Sequence, residues 1–125
     1  MDTDRLLKRL GFGAPFWNSR RGENPEEHIV LDGAKLDGMI LTGINFSGVS
    51  LRGASMHATN LMNADLSHAG LSGANLVEAD LIGANLEGAQ LSGADLREAD
   101  LRGAHLRDAH YSAVDLAGAL NVPSH

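Results

Sequence analysis

Six histidines are the first residues of this chain that could do chemistry: His28, His57, His68, His105, His110 and His125. Imidazole is the commonest metal ligand and the natural proton carrier near neutral pH. Their spacing supplies no partners for either role. His105 and His110 hold the same place in a five-residue rhythm and fall on adjacent sides of the molecule it builds. His68 and His105 share a side but lie about 10 Å apart, with no third ligand converging on them. Glu78 and Glu98 stack one turn apart, a separation that resembles a glycosidase pair, but no cleft is predicted between them. Asp95 and Asp100 belong to neighbouring sides. His110 and Ser112 lack a third group to orient them. The chain has no cysteine, so thiolate metal sites, cysteine nucleophiles and disulfides are excluded. The sequence therefore predicts no catalytic residue, no metal and no cofactor.

The elements that carry these residues follow from the rhythm. Every residue whose number ends in 1 or 6, from Leu31 to Leu116, is large and apolar. The position two before is small through the middle of the chain, with alanine at every such site from Ala64 to Ala109. The position just before the large residue favours Asn and Asp, as in Asn60, Asp80 and Asp100, and glycine is favoured two places after it. An α-helix would rotate each such step by about 140° net and spread the leucines around all sides. A strand would put successive leucines on opposite faces. A coil that turns a corner every five residues satisfies the pattern. Four corners return the chain above its start, so each leucine stacks on the one twenty residues away, at about 4.8 Å per rung. Residues 29–118 make about 4.5 coils and a rod roughly 22 Å long. Leucine and alanine fill a narrow interior, Asn and Asp bond backbone amides at corners, and glycine eases the turn. The glycines are turn residues and not a phosphate loop.

Composition agrees with a rod. Aromatics are 4% of 125 residues, too few for a core of large side chains, while glycine reaches 15 residues. The net charge is −6, and the first 28 residues cancel to zero, so the acid lies on the repeats. It is spread over the four sides, with Arg97, Arg102 and Arg107 on three different ones. Such a surface argues against direct nucleic-acid binding and for basic partners. No apolar window reaches the roughly 18 residues that span a bilayer, and the start lacks a basic segment followed by an apolar run. A soluble cytoplasmic protein with no membrane contact is the expectation, with export by a non-classical route left open.

The units "ADLSH", "AGLSG", "ANLVE", "ADLIG", "ANLEG" and "ADLRE" resemble the A-(D/N)-L-x-x unit of pentapeptide repeat proteins. The resemblance runs from about Ile29 to Gly118. It implies an all-β solenoid, a right-handed quadrilateral β-helix, and the handedness rests on the resemblance alone. Early units such as "IVLDG" and "INFSG" carry larger residues at the small position, which predicts a wider or less regular first coil. After Leu116 the next centre would be Asn121, and Leu120 is expected to fill that site by a one-residue shift.

Three domains are expected: residues 1–28 as a helix with a capping and linker segment, 29–118 as the repeat, and 119–125 as a tail. "TDRLLKRLG" reads as a short amphipathic helix with Thr3 as N-cap, Leu6, Leu7 and Leu10 as its stripe, and Gly11 as its stop. Phe12, Phe16 and Trp17 form an aromatic cluster that either covers the first coil or grips a partner as an arm. "SRRGENPEEH" reads as a linker. Ile40, Met62 and Ile82 project outward on one side, with Val77 around the corner, and form a candidate partner site. Some pentapeptide repeat proteins dimerise end to end through C-terminal segments, and the resemblance makes Tyr111, Leu116 and Leu120 a candidate homodimer end. The convex rod is expected to offer no pocket. The function that follows is a non-enzymatic scaffold binding a protein partner through its sides or ends. The alternative implied by the resemblance is a DNA-mimicking inhibitor or protector of a type II topoisomerase. This chain departs from that group in its short repeat and its lack of inserted loops.

Overall fold

A computed structural model describes residues 3–113 and 115–124, with the side chains of residues 3 and 4 excepted. From Val30 onward each bridge pairs a residue with the one twenty places ahead: Val30 with Ser50, Ser50 with Gly70, Asn60 with Asp80, all parallel. Two backbone bonds hold each such contact, as when the Leu31 amide donates to Ser50 (2.7 Å) and the Ser50 amide to Ile29 (3.0 Å). Among the described residues every pairing is an isolated bridge, and no run of residues forms a strand. The all-β expectation is corrected to that extent. Two of every five residues are spent on a turn and two flank the bridge pointing inward, so one residue per side is left to pair.

Each corner closes with a bond such as Ala34 N–H to Leu31 C=O at 3.0 Å. The second turn residue must then adopt positive φ, as in a type II turn. Glycine fills most of these sites, but Ala58, Asn63, His68, Glu78, Glu98 and Asp108 hold φ between 56° and 62°. The Asn and Asp preference has an equally local cause. Asn60 Oδ1 accepts the Met62 amide (3.0 Å), Asp80 Oδ1 the Ile82 amide (3.1 Å) and Asp100 Oδ1 the Arg102 amide (3.0 Å). Where serine stands instead, a carboxylate from the coil before takes over. Asp32 accepts both the Ser50 hydroxyl and the Arg52 amide, and Asp37 does the same for Ser55 and His57.

The interior is filled by side chains. Leu31, Leu41, Leu61, Leu81 and Leu101 are fully buried, as are Phe46 and Met56. Thr59 is buried too, its hydroxyl donating to Leu36 C=O at 2.9 Å. The large residues at the small position of the early units, Ile29 and Ile44 in the first coil and Val49 at the start of the second, are buried without disturbing the ladder, which keeps its twenty-residue register from Val30. The expected irregularity of the first coil is not seen in its bridges.

Two helices precede the coils, α1 (Thr3–Gly11) and α2 (Ala14–Glu23). The second corrects the reading of "SRRGENPEEH" as a linker, because Ser19–Glu23 is helical. Pro15 lies in the first turn, where its missing amide hydrogen costs nothing. Thr3 begins α1, and its side chain, read as a cap, lies outside the described residues. The far end departs from the rhythm. The Ser112–Asp115 turn closes one residue later than its counterparts, and Val114 lies outside the described residues. Asp115 Oδ1 takes the Gly93 amide (3.0 Å) that the Ser112 carbonyl would have accepted in register. The ladder returns at Leu120, which bridges Asp100 in its ordinary place. The expected shift of Leu120 into the interior does not occur, and its side chain is about half exposed, at 48%.

Candidate functional site

The N-terminal end is a built cap. A first coil has no rung before it, so its outward-facing amides and carbonyls lack partners. Along Gly43–Ser47, side chains of α2 supply them. Trp17 Nε1 donates to Asn45 C=O (2.8 Å), and Asn18 Oδ1 accepts the Asn45 amide (2.7 Å). Asn18 Nδ2 donates to Gly43 C=O (2.9 Å), and Arg21 Nη2 to Ser47 C=O (2.8 Å). Trp17 also meets the Phe46 ring edge-on, with centroids 5.5 Å apart. Leu6 and Leu10 of α1 are buried in the same core. Burial pushes the Arg21 guanidinium below its usual range, against the opposing pull of Glu27 and Asp65. Of the predicted aromatic cluster, Trp17 thus lies inside. Phe12 and Phe16 meet at a tilt of 46°, with centroids 5.2 Å apart, and remain exposed, at 72% and 50%.

One side of the rod collects outward apolar residues. Its bridge positions are Ile40, Asn60, Asp80, Asp100 and Leu120. Ile40 is 76% exposed, and Met62 and Ile82, on the corner that follows, are half-buried. Leu120 extends this side at the far end and is exposed. On the opposing corner stand Glu78 and Glu98, both exposed and both in the left-handed conformation. Val77 stands on that same corner. The side bearing Asn45, Asp65 and Asn85 has no apolar residue at its outward bridge positions. The sequence reading found Ile40, Met62 and Ile82. It missed Leu120 because it moved that residue inward; counting by twenties from Asp100 places Leu120 on this side.

The C-terminal end holds a cavity of about 580 Å³, lined by Leu106, Tyr111, His105, Arg107 and Pro123 among others. The expectation of no pocket is corrected here: the last coil has no rung after it, and residues 123–124 only border the opening. Tyr111 and Leu116 are half-buried, and Leu120 points outward on the apolar side. Among the described residues no three His, Asp or Glu side chains gather closely enough to hold a metal ion. His57 Nε2 lies 3.9 Å from Glu78 Oε2 at the surface. The His68 ring lies against Gly88, where a Cβ would collide with it. His125 lies outside the described residues.

The sequence profile of pentapeptide repeats matches eight copies, over residues 30–67, 59–97, 69–108 and 94–119. The chain belongs to the pentapeptide repeat family. That membership implies a right-handed quadrilateral β-helix. A solved relative, a pentapeptide repeat protein from the Arabidopsis thaliana thylakoid lumen, is 30% identical with a TM-score of 0.67. The match covers 73% of this chain and 63% of that one, so this pentapeptide repeat chain spans less than two thirds of its relative. Another, from Nostoc PCC 7120, is 28% identical with a TM-score of 0.50 and is covered over 94% of its length, against 86% of this chain. No curated protein sequence matches the chain significantly. No helix among the described residues is long and apolar enough to cross a membrane.

Proposed function

We propose that this pentapeptide repeat chain is a non-enzymatic scaffold that binds a protein partner through its sides or ends. Pentapeptide repeat proteins are in general structural repeat proteins. The observation that carries the reading is the gathering of Ile40, Met62, Ile82 and Leu120 on one side of a rod whose interior is already filled. A folded chain that spreads its apolar surface residues singly gains nothing from such clustering, whereas a partner does. About 4.5 coils, closed by α1 and α2, would hold that side rigid. A photo-crosslinker placed at Met62 or Phe16 of the full chain, in the source cell, tests the reading. Recovery of no crosslinked protein from either position refutes it.

End-to-end homodimerisation is supported by the opening between Leu106, Tyr111 and Pro123. Sedimentation of a strict monomer at high concentration removes it. Mimicry of duplex DNA toward a type II topoisomerase has one observation in its favour, the outward row of Glu78, Asp80, Glu98 and Asp100. A supercoiling assay untouched by excess protein removes that reading.

A further inference from the structure

The apolar side is narrow and its charge is acidic in excess. From Ile40 to Leu120 it spans four rung spacings, about 19 Å, and each side of the coil is about 10 Å wide. That is on the order of 200 Å², against the roughly 800 Å² that each partner contributes to a stable interface. Area that small needs charge complementarity beside it, and a second copy lying flat on this side would instead bring its own Glu78, Asp80, Glu98 and Asp100 against the same acidic residues. One α-helix, about 10 Å across, fits the width, and about 13 residues of it fit the length. Successive turns of such a helix rise by about 5.4 Å, close to the rung spacing, so apolar residues three and four apart can follow Met62 and Ile82 along the corner. Glu78 and Glu98 line the opposite corner, with Asp80 and Asp100 between; against these four carboxylates stand Arg102, on the corner of Met62 and Ile82, and Arg97, beside Glu98, whose guanidinium is already paired with Asp95 (2.7 Å). Arg102 already lies 4.0 Å from Asp100. Glu78 and Glu98 occupy turn sites where glycine avoids the cost of positive φ. What the fold gains from a carboxylate there is confined to exposed surface pairs, Glu78 with His57 at 3.9 Å and Glu98 beside Arg97, which are worth little.

Resting on the protein-binding reading above, we propose that this side is the docking surface for a basic amphipathic helix of a partner protein. Its apolar stripe lies on Ile40, Met62 and Ile82, and its Lys or Arg residues face Glu78, Asp80, Glu98 and Asp100.

The test uses the full chain and a labelled, end-capped peptide of about 14 residues, with Leu at helical spacing and Lys elsewhere. The comparison peptide has the same composition in scrambled order. Fluorescence anisotropy at low salt reads binding, and thermal melts read folding. The helical peptide is expected to bind the unmodified chain about tenfold more tightly than the scrambled one. M62S/I82S is expected to weaken it about tenfold while melting normally. E78G/E98G is expected to weaken it about tenfold while melting higher, because the turns are relieved as the charge is lost. E87Q/D108N removes the same charge from another side and is expected to leave binding within about twofold. Equal binding of the scrambled peptide, indifference to M62S/I82S, or equal loss in E87Q/D108N and E78G/E98G overturns the proposal. A dimer of the unmodified chain that M62S/I82S dissolves overturns it as well, since the occupant is then a second copy. Crosslinked partners that survive M62S/I82S would leave the scaffold reading standing and move the contact elsewhere. A chain that captures no partner at all would end the broader reading.

Discussion

Replacing Glu98 with glycine should stabilise this protein, although glycine usually weakens a folded chain. Glu98 is the second residue of its turn, with φ 62°, and its side chain is exposed. A left-handed conformation costs an L-residue about 1–2 kcal/mol, of which glycine returns about 0.5–1 through its freer unfolded state. The net gain is about 0.5–1 kcal/mol. Unfolding entropy of about 2.1 cal/mol/K per residue gives roughly 0.26 kcal/mol/K for this chain, so the melting temperature should rise by about 2–4 °C. The backbone bond from the Glu98 amide to Gly118 C=O (2.8 Å) is untouched by the change. Glu87 supplies the control, because it precedes Gly88 in its turn and does not have positive φ. Glu87→Gly makes the same chemical change and removes the same charge, but it carries only the entropic cost and should lower the melting temperature by about 2–4 °C. Differential scanning calorimetry of the two variants decides the matter. If both move the same way, relief of charge or loss of side chain dominates, and the backbone account of the repeat is wrong.

The cap gives a second expectation. Asn18→Leu leaves the Asn45 amide and Gly43 carbonyl without α2 partners, and should cost about 1–3 kcal/mol and speed proteolysis within residues 1–28. Trp17→Phe keeps an aromatic ring but loses the bond to Asn45 C=O and leaves part of the buried indole volume empty, and should cost about 2–3 kcal/mol in the same assay. Leu86→Ala should cost about 2–5 kcal/mol by denaturant unfolding, since Leu86 is fully buried and the stacked coils cannot collapse into the gap. Met62→Ser should stay within about 0.5 kcal/mol. Acid should destabilise the rod through its outer carboxylates. Asp37 is held below the usual range by the Ser55 hydroxyl and then the His57 amide, Asp95 by Arg97, Asp100 by Asn121 and the Arg102 amide, and Asp115 by the Ser112 and Gly93 amides. A depressed folded pKa contributes stability above the unfolded value near 3.9, and that stability is lost as pH falls through the folded value. Melting temperature should therefore hold from neutral pH to about 5 and fall below about 4, and Asp100→Asn with Asp115→Asn should flatten the fall.

The repeat was legible because each position has one physical demand that one or two residue types meet. Leu86 and Ala84 fill space, Asn85 takes the Glu87 amide, and Gly88 turns, so the five-residue beat is written directly in the chain. The ends were less legible because their demands are set by what is missing. Nothing in "NSRRG" announces that Asn18 and Arg21 will stand in for a rung that does not exist, since any side chain of suitable reach could do so. The same holds for Asp115, whose carboxylate replaces a carbonyl only because the turn closes a residue late. The candidate site lies between these cases. Its members are scattered over eighty residues of sequence, from Ile40 to Leu120, and become neighbours only when counted by twenties. Within each unit they are tolerated exceptions, an isoleucine or glutamate where serine or glycine would fold as well. Positions that the fold leaves unconstrained are where a partner can be recognised without cost to the coil. The glutamates at 78 and 98 go further, because the turn would be better served by glycine.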